Sequence, residues 1–217
     1  MHTLYYSPGT CALAPHVVLE EIGEPYELVL VKAGVDTVTA DWKAKNPKGR
    51  VPALSGVPGR IGGAEDLLTE ASAIMIYLAR THPDAGLMPS HPIAEARVVE
   101  WLNWLATIHA SNYARIRRSA RFVTDEAMFP ALQEKGRADL HENYAYVDSL
   151  LGDGRDWAVP GGYSIADIYL LVFYNFGFGA GFDMPVLFPN WREHTARLLD
   201  RPAVARVVAH EGLNIRL

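Results

Sequence analysis

The spacing of hydrophobic and polar residues changes partway along the chain. Over the first 80 or so residues, short segments rich in β-forming residues alternate with amphipathic helical segments. Strands are predicted over residues 3–6, 26–31 and 51–54, with a fourth inside 60–68, and helices over residues 11–22 and 70–80. The order βαβ(α)ββα predicts an α/β domain in this part of the chain.

Beyond Pro92 the spacing is helical almost to the end of the chain. Apolar residues recur at helical intervals from residue 93 to about 116, and further helices are predicted over 131–151, 190–200 and 202–210. Ser164 and Asp167 form a capping box that starts one more buried helix. Prolines and a glycine in residues 81–90 indicate a linker. We therefore predict an α/β domain at 1–81, a linker at 82–90 and an all-helical domain at 91–217.

The composition is that of an ordinary globular protein. The chain has 217 residues, of which 49% are hydrophobic and 21% charged, and its net charge of −5 gives no general attraction to nucleic acid or to an anionic membrane. No apolar stretch reaches the roughly 18 residues of a membrane span, and we find no signal peptide. The single cysteine fits a reducing compartment. We expect a cytoplasmic protein that binds neither nucleic acid nor membranes.

Cys11 is the first candidate for chemistry. It follows a predicted strand and the turn at residues 7–10, so it lies at or just before the first turn of a helix. The unpaired N–H groups and the dipole of a helix start favour a thiolate there and lower the pKa of a cysteine below its usual value of about 8.5. A buried, inert thiol is the alternative. The eight histidines show no metal-ligand spacing, so we predict no metal.

Two other segments carry groups that suit a peptide-like ligand. Pro52 opens a strand, and a cis Val51–Pro52 bond would turn the backbone of Val51 outward, although a trans bond is the commoner case. Glu70 lies in the first turn of a helix, whose free N–H groups suit a carboxylate, while the Glu70 side chain suits an ammonium group. In the simpler interpretation Glu70 complements the helix dipole and Thr69 caps the helix.

The helical half carries three further features. His109 on the long helix is a general base, a thiolate partner or a partly buried structural histidine. A run of arginines follows it and either faces an anionic substrate or forms a solvated helix face. Its members are Arg115, Arg117, Arg118 and Arg121. The glycine-rich residues 177–181 lack the preceding strand of a dinucleotide loop, so we expect them to let helices or a turn approach closely.

Together these motifs resemble the glutathione S-transferase family, and within it the bacterial, cysteine-containing beta-like class. The resemblance covers nearly the whole chain and is carried by LYYSPGTC at residues 4–11, NPKGRVPAL at 46–54, LTE at 68–70 and SIAD at 164–167. It implies a thioredoxin-like N-terminal domain with a cis bond at Pro52, followed by an all-helical domain. It also implies glutathione as co-substrate, no metal, and a homodimer with glutathione in a cleft near the domain and subunit interfaces.

The resemblance further implies roles for individual residues. Val51 would bind the cysteinyl backbone of glutathione, and Glu70 with the residue after it would hold the γ-glutamyl end. The implied glutathione-binding residues are Val51, Pro52, Glu70, Ala71, Ser72 and, from the second subunit, Asn103. The implied catalytic residues are Cys11, Tyr6 and His109, with Tyr5, Ser7 and Thr10 as other thiolate donors. The implied second-substrate residues are Tyr113 and Arg117.

Three departures from the family pattern bear on the site. Ala71 stands where the family usually has serine and the beta-like class often has glycine. Ala12 follows Cys11 where relatives often have serine. His109 is six residues after Asn103 instead of seven, which turns it about 100° around an α-helix.

The predicted function is a glutathione transferase that activates glutathione as a thiolate for addition to electrophilic apolar substrates, a detoxification reaction. Cys11 either lies beside the thiolate or attacks by itself, which gives thiol–disulfide or lyase chemistry. The alternative is a glutathione S-transferase-like binding or regulatory module with little turnover, which the three departures favour.

Overall fold

The computed structural model describes residues 1–58 and 67–217. Within these residues the chain forms two compact units. One contains residues 1–88 and 199–214, and the other contains residues 89–198 and 215–217. Residues 59–66 lie outside the described residues, and they include most of the segment 60–68 in which a fourth strand is predicted.

Residues 1–88 of the first unit contain a four-stranded sheet and, among the described residues, three α-helices. Its strands are β1 (His2–Tyr6), β2 (Tyr26–Leu30), β3 (Ala53–Ser55) and β4 (Leu68–Thr69), in the order β2-β1-β3-β4. Its helices are α1 (Leu13–Ile22), α2 (Ala40–Lys45) and α3 (Ala71–Thr81). β1 is parallel to β2 and antiparallel to β3, and β3 is antiparallel to β4. This is the predicted thioredoxin-like arrangement, although the third strand starts two residues later than the pattern predicts.

The core of this unit lies between the sheet and the two helices α1 and α3. Its fully buried side chains include Leu4, Leu13, Val17, Leu54, Ile74 and Leu78. Helix α1 ends at Gly23, which has φ 76° and donates its N–H to the carbonyl of Leu19 at 3.2 Å. A left-handed residue of this kind is easiest for glycine, so the predicted end of the helix is confirmed.

The second unit is helical, as predicted. Its elements are α4 (Pro92–Ile108), a π-helical turn (His109–Tyr113), α5 (Ala114–Arg117), α6 (Phe129–Leu151), α7 (Ile165–Gly179), α8 (Met184–Leu187) and α9 (Pro189–Leu199). Helix α7 is buried along most of its length. The capping box at its start is present, with the Asp167 carboxylate accepting the N–H of Ser164 at 2.8 Å.

The helical segment predicted from residue 93 to about 116 is confirmed by α4, the π turn and α5, although the π turn interrupts the α-helical hydrogen-bond pattern. Ile108, Asn112 and Ile116 are all buried at intervals of four residues. Residues four apart also share one face of an ordinary α-helix, so the buried face continues through the π turn, which packs on α6. Gly136 of α6 allows the close approach, since a Cβ there would lie only 3.1 Å from the carbonyl oxygen of Asn112.

Residues 199–214 return to the first unit. They contain α10 (Pro202–His210), which packs on α1. Arg201 holds Glu21 through two hydrogen bonds of 2.7 and 3.0 Å, and Arg206 donates to Glu20 at 2.6 Å. The helical spacing gives no sign of this return, because it depends on contacts and not on periodicity. Among the described residues no helix is long and apolar enough to cross a membrane.

Candidate active site

Cys11 lies half-buried in the turn between β1 and α1. Thr10 closes this turn, since its hydroxyl donates to the carbonyl of Ser7 at 2.7 Å and accepts the N–H of Ala12 at 3.2 Å. Ala12 is the N-cap of α1 and contributes no side-chain cap. Cys11 therefore stands directly before a helix start, where the dipole favours negative charge, as the sequence predicts.

A buried carboxylate from the C-terminal segment holds the same turn. The Oε2 atom of Glu211 accepts the N–H of Gly9 at 2.8 Å, and its Oε1 atom lies 2.8 Å from Nδ1 of His16. The side chain of Glu211 is fully buried and that of His16 is 2% exposed. Sequence reasoning missed this residue. The available signal was His16, a polar residue on the buried face of α1, which needs a polar partner there.

The hydroxyl groups near Cys11 already have partners in the first unit. The Tyr6 hydroxyl lies 3.4 Å from Nε2 of His210, and its ring contacts His16. Ser7 is buried, and its hydroxyl oxygen accepts the N–H of Ala33 at 3.3 Å. The Tyr5 ring packs against Trp42 at 5.2 Å between centroids. Tyr6 thus contacts the C-terminal segment as well as α1.

The Val51–Pro52 peptide bond is cis, which the family resemblance implies. Asn46 shapes the loop that leads to this bond. Its side-chain amide donates to the carbonyl of Arg50 at 2.8 Å, its side-chain oxygen accepts the N–H of Lys48, and it is only 3% exposed. The backbone before β3 is therefore held by a buried side chain.

Glu70 has an unusual backbone conformation. Its φ of 72° is the only positive value at a non-glycine residue in the described part of the chain. A left-handed conformation of such a residue costs about 1–3 kcal/mol, and conformations of this kind cluster at functional sites. Glu70 itself is the N-cap of α3, without a side-chain capping bond, so the expectation that Thr69 caps this helix is wrong. Ala71 is buried and Ser72 half-buried in the first turn.

The Glu70 carboxylate already binds an ammonium group. Nζ of Lys48 lies 2.7 Å from its Oε1 atom and 2.8 Å from the hydroxyl of Thr69. The side chains of Lys48 and Glu70 are 53% and 61% exposed, so a surface pair of this kind is weak and exchangeable. Sequence reasoning did not single out Lys48.

The register of the sheet brings three of the predicted residues to one end. Tyr5 pairs with Ala53, and Ala53 pairs with Thr69. One residue further in the same direction are Tyr6 after β1, Pro52 before β3 and Glu70 after β4. The turn that carries Cys11 leaves β1 from this same end. The first unit thus presents a helix start, a peptide edge and a carboxylate at one end of its sheet.

The second unit brings two of its predicted residues, His109 and Tyr113, together in the π turn. His109 is half-buried, with its ring 5.1 Å from that of Phe176 and 5.4 Å from that of Tyr113. Tyr113 stacks on Phe176 with a centroid distance of 4.7 Å and an angle of 9°. Asn103 is exposed on α4. The three rings form an apolar cluster in this unit, the aromatic wall, in which Phe176 is buried and Tyr113 and His109 are half-buried.

The arginine run does not form one face. Arg115 is bound to Asp139 of α6 at 3.0 Å and is only 25% exposed at its side chain, whereas Arg117 is exposed at the end of α5. The Lys135 and Arg115 hydrogen bonds hold the pKa of Asp139 below its ordinary range. Over residues 1–58 and 67–217, no group of three or more His, Cys, Asp or Glu side chains is placed to hold a metal ion.

A thioredoxin-like sheet with a cysteine at the start of its first helix and a cis-proline, joined to an all-helical unit, defines the glutathione transferase class of protein. Comparisons agree with this class. The family described as glutathione S-transferase, N-terminal domain, matches residues 1–80. The glutathione S-transferase GstA of Escherichia coli O157:H7 is 34% identical over 97% of this chain and 98% of that protein. The glutathione S-transferase GST-4.5 of Xanthomonas campestris pv. campestris is 31% identical over 97% of this chain and 99% of that protein.

A solved structure agrees over the same length. The glutathione transferase homologue from Sulfitobacter, which contains bound glutathione, superposes with a TM-score of 0.86 at 31% identity and covers 99% of both chains. The chain therefore belongs to the glutathione S-transferase family. The predicted family and fold class are confirmed.

Proposed function

We propose that the protein is a glutathione transferase that binds glutathione at the end of the first unit's sheet and adds its sulfur to electrophilic apolar substrates. The observation that carries this proposal is the sheet register, which gives Pro52 and Glu70 neighbouring positions at the end from which the Cys11 turn leaves. The full-length similarity to glutathione S-transferases supports the same activity.

Glutathione carries an ammonium and a carboxylate at its γ-glutamyl end. Glu70 takes the ammonium, in the way that it holds the Lys48 ammonium at 2.7 Å. The N–H groups of Ala71 and Ser72 open α3 and take the carboxylate, since the first N–H groups of a helix have no intrahelical partner. The backbone of Val51, before the cis bond to Pro52, pairs with the cysteinyl residue. Asn103 contributes from the second subunit.

The start of α1 lowers the free energy of a thiolate near Cys11. In one version of the chemistry the glutathione thiolate attacks the electrophile, and Cys11, Tyr6 or His109 stabilises it. In the other, the Cys11 thiolate attacks a sulfur of glutathione disulfide, forms a mixed disulfide and releases one glutathione thiolate. The sulfur–sulfur bond is exchanged, so this step needs no other oxidant.

The second substrate binds against the aromatic wall of the second unit. Tyr113 and its stacked partner Phe176 favour a flat, apolar electrophile. The exposed guanidinium of Arg117 allows a carboxylate or sulfonate on that substrate.

The functional form is a cytoplasmic homodimer. The edge strand β2 and the loop after it expose Val29, Leu30, Val35 and Val38, an apolar surface that supports association. A single cysteine suits a reducing compartment. Light scattering on the purified protein gives the oligomeric state directly.

Titration calorimetry with reduced protein and glutathione tests the proposal. Glu70→Gln should weaken binding at least about tenfold, because a charge-assisted hydrogen bond is lost. Glu193→Gln, an exposed residue of α9, is the matched control and should bind like the wild type. In the same samples, intact mass after addition of glutathione disulfide reports whether Cys11 forms an adduct.

The alternative function, a binding or regulatory module with little turnover, predicts a different result. Ala71 offers only its backbone N–H where the family usually has a serine, which favours weaker binding of glutathione. Heat of binding without any conjugation of an electrophile would support the module. If the protein gives neither heat of binding nor a glutathione adduct, both versions of the proposed site are contradicted.

A further inference from the structure

The glycine-rich segment at the end of α7 has no role in the proposed chemistry. Gly177 and Gly179 both lie within this helix, so their backbone conformation admits any residue. Glycine costs roughly 1 kcal/mol relative to alanine inside a helix. What these two glycines supply is the absence of a side chain, which allows another group to approach the helix closely.

Gly179 faces the hydroxyl of Tyr113. A Cβ atom at Gly179 would lie 2.6 Å from the Tyr113 hydroxyl oxygen, a distance that real Cβ atoms essentially never show. The next nearest atoms are two ring carbons of Tyr113 at 3.6 and 3.8 Å, which are ordinary contacts. Only the hydroxyl oxygen excludes a side chain here.

The Tyr113 ring is also held from its face. It stacks on Phe176, which lies one turn before Gly179 on the same side of α7. The His109 ring packs against both of these aromatic rings. A side chain at Gly179 would therefore push the Tyr113 hydroxyl outward from α7, since Phe176 blocks a shift of the ring toward the helix.

We propose that Gly179 is a positioning residue for substrate specificity: its missing side chain sets where the Tyr113 hydroxyl lies, and thereby the shape of the aromatic wall that faces the second substrate. This inference rests on the proposed role of Tyr113 in binding that substrate. The substrates that depend on this shape are flat aromatic electrophiles, which stack along the wall. A small aliphatic electrophile makes little contact with the wall and does not depend on it.

A double-mutant cycle tests the inference in the full-length enzyme with glutathione. The four proteins are the wild type, Gly179→Ala, Tyr113→Phe and the combination of both changes. Each is assayed with chlorodinitrobenzene, a flat aromatic electrophile, and with iodoethane, a small aliphatic one. Thermal unfolding of each protein is recorded in parallel.

Gly179→Ala should lower kcat/KM for chlorodinitrobenzene about tenfold or more relative to iodoethane, because small displacements of a positioning group have effects of this size. The KM for glutathione should not change. Adding Tyr113→Phe should bring the ratio of the two substrates back to that of Tyr113→Phe alone, because the clashing oxygen is gone. A purely structural defect would lower both activities together and would not give this ratio.

The inference is overturned if Gly179→Ala leaves the substrate ratio unchanged, or if Tyr113→Phe gives no rescue. Rescue of thermal stability without a change in the substrate ratio would also overturn it, because the contact would exist while Tyr113 faces no substrate. If Gly179→Ala does not fold by itself, the test is the double variant: it should fold, and its substrate ratio should equal that of Tyr113→Phe alone. Failure of the proposed function can be distinguished from failure of this inference, because in that case the wild type itself conjugates neither electrophile.

Discussion

The carboxylate of Glu211 accepts the backbone N–H of Gly9 at 2.8 Å, across 202 positions of the chain. Gly9 belongs to the turn that carries Cys11, and Glu211 follows the last helix, α10. The second oxygen of the same carboxylate faces His16 on α1 at 2.8 Å. One buried side chain after the last helix thus ties the turn that carries Cys11 to the first helix.

Removal of this carboxylate should destabilise the fold. Glu211→Ala leaves the half-buried N–H of Gly9 and the buried His16 ring without an acceptor, so we expect a loss of about 3 kcal/mol in the free energy of unfolding. Glu211→Gln keeps one acceptor oxygen and should lose less. Denaturant unfolding measures both, with the exposed Glu193→Ala as control, expected within about 0.5 kcal/mol of the wild type. Equal midpoints for Glu211→Ala and the wild type would contradict the assignment.

Asp167 should matter more than its capping partner. Its fully buried carboxylate accepts the N–H groups of Ser164 and Ala158, each at 2.8 Å, and lies 2.8 Å from Nε2 of His194. Asp167→Ala should cost about 3–5 kcal/mol, because several buried groups lose their acceptor, whereas Ser164→Ala should cost about 1 kcal/mol as an ordinary cap. Calorimetric unfolding of the two variants provides the comparison. Losses of the same size would show that the cap alone accounts for the effect.

The pair of Glu20 and Arg206 should make stability depend on pH. The hydrogen bond from Arg206 is the main cause that lowers the pKa of Glu20 from its ordinary value of 4.5, and Tyr26 also donates to it at 2.8 Å. Because the pKa is lower in the folded protein, the contribution is fully present above 4.5 and is lost as the pH falls through the folded value.

Arg206→Met should therefore lower the unfolding free energy by about 0.5–1 kcal/mol near neutral pH, a modest value because the Arg206 side chain is 60% exposed. The difference from the wild type should shrink well below pH 4. Denaturant titrations at the two pH values measure it, and Arg192→Met, at a side chain of α9 that is 39% exposed, serves as the control. A difference that persists unchanged in acid would show that packing of the arginine stem, and not its charge, is responsible.

Cys11→Ala should separate the two versions of the chemistry. Reduction of a disulfide needs the Cys11 sulfur, so it should fall at least about a hundredfold, and the glutathione adduct should disappear from the intact mass. Conjugation of chlorodinitrobenzene should stay within about tenfold of the wild type, since the glutathione sulfur itself is the nucleophile there. The two assays on the same preparation are the measurement. An equal loss of both activities would refute this division of labour.

Much of the first unit and of its site could be predicted from local sequence. The turn at residues 7–10 and the end of α1 at Gly23 depend on backbone preferences within a few residues. The position of Cys11 before a helix follows from them. The capping box of α7 is equally local, because its donors and acceptors lie within one turn.

The tertiary structure decided what lies opposite these groups. Contacts such as Glu211 with Gly9 and Gly179 with Tyr113 join residues far apart in sequence, and no period of hydrophobic residues encodes them. The π turn at residues 109–113 packs on α6 at Gly136, which is a contact between distant segments that local spacing does not predict. The sequence by itself therefore determined which segments form helices and strands, to within a few residues, and which residue types stand at their ends, since these depend on neighbouring backbone. Packing of distant segments decided which polar groups meet, because only the folded chain removes them from water and forces each to find a partner.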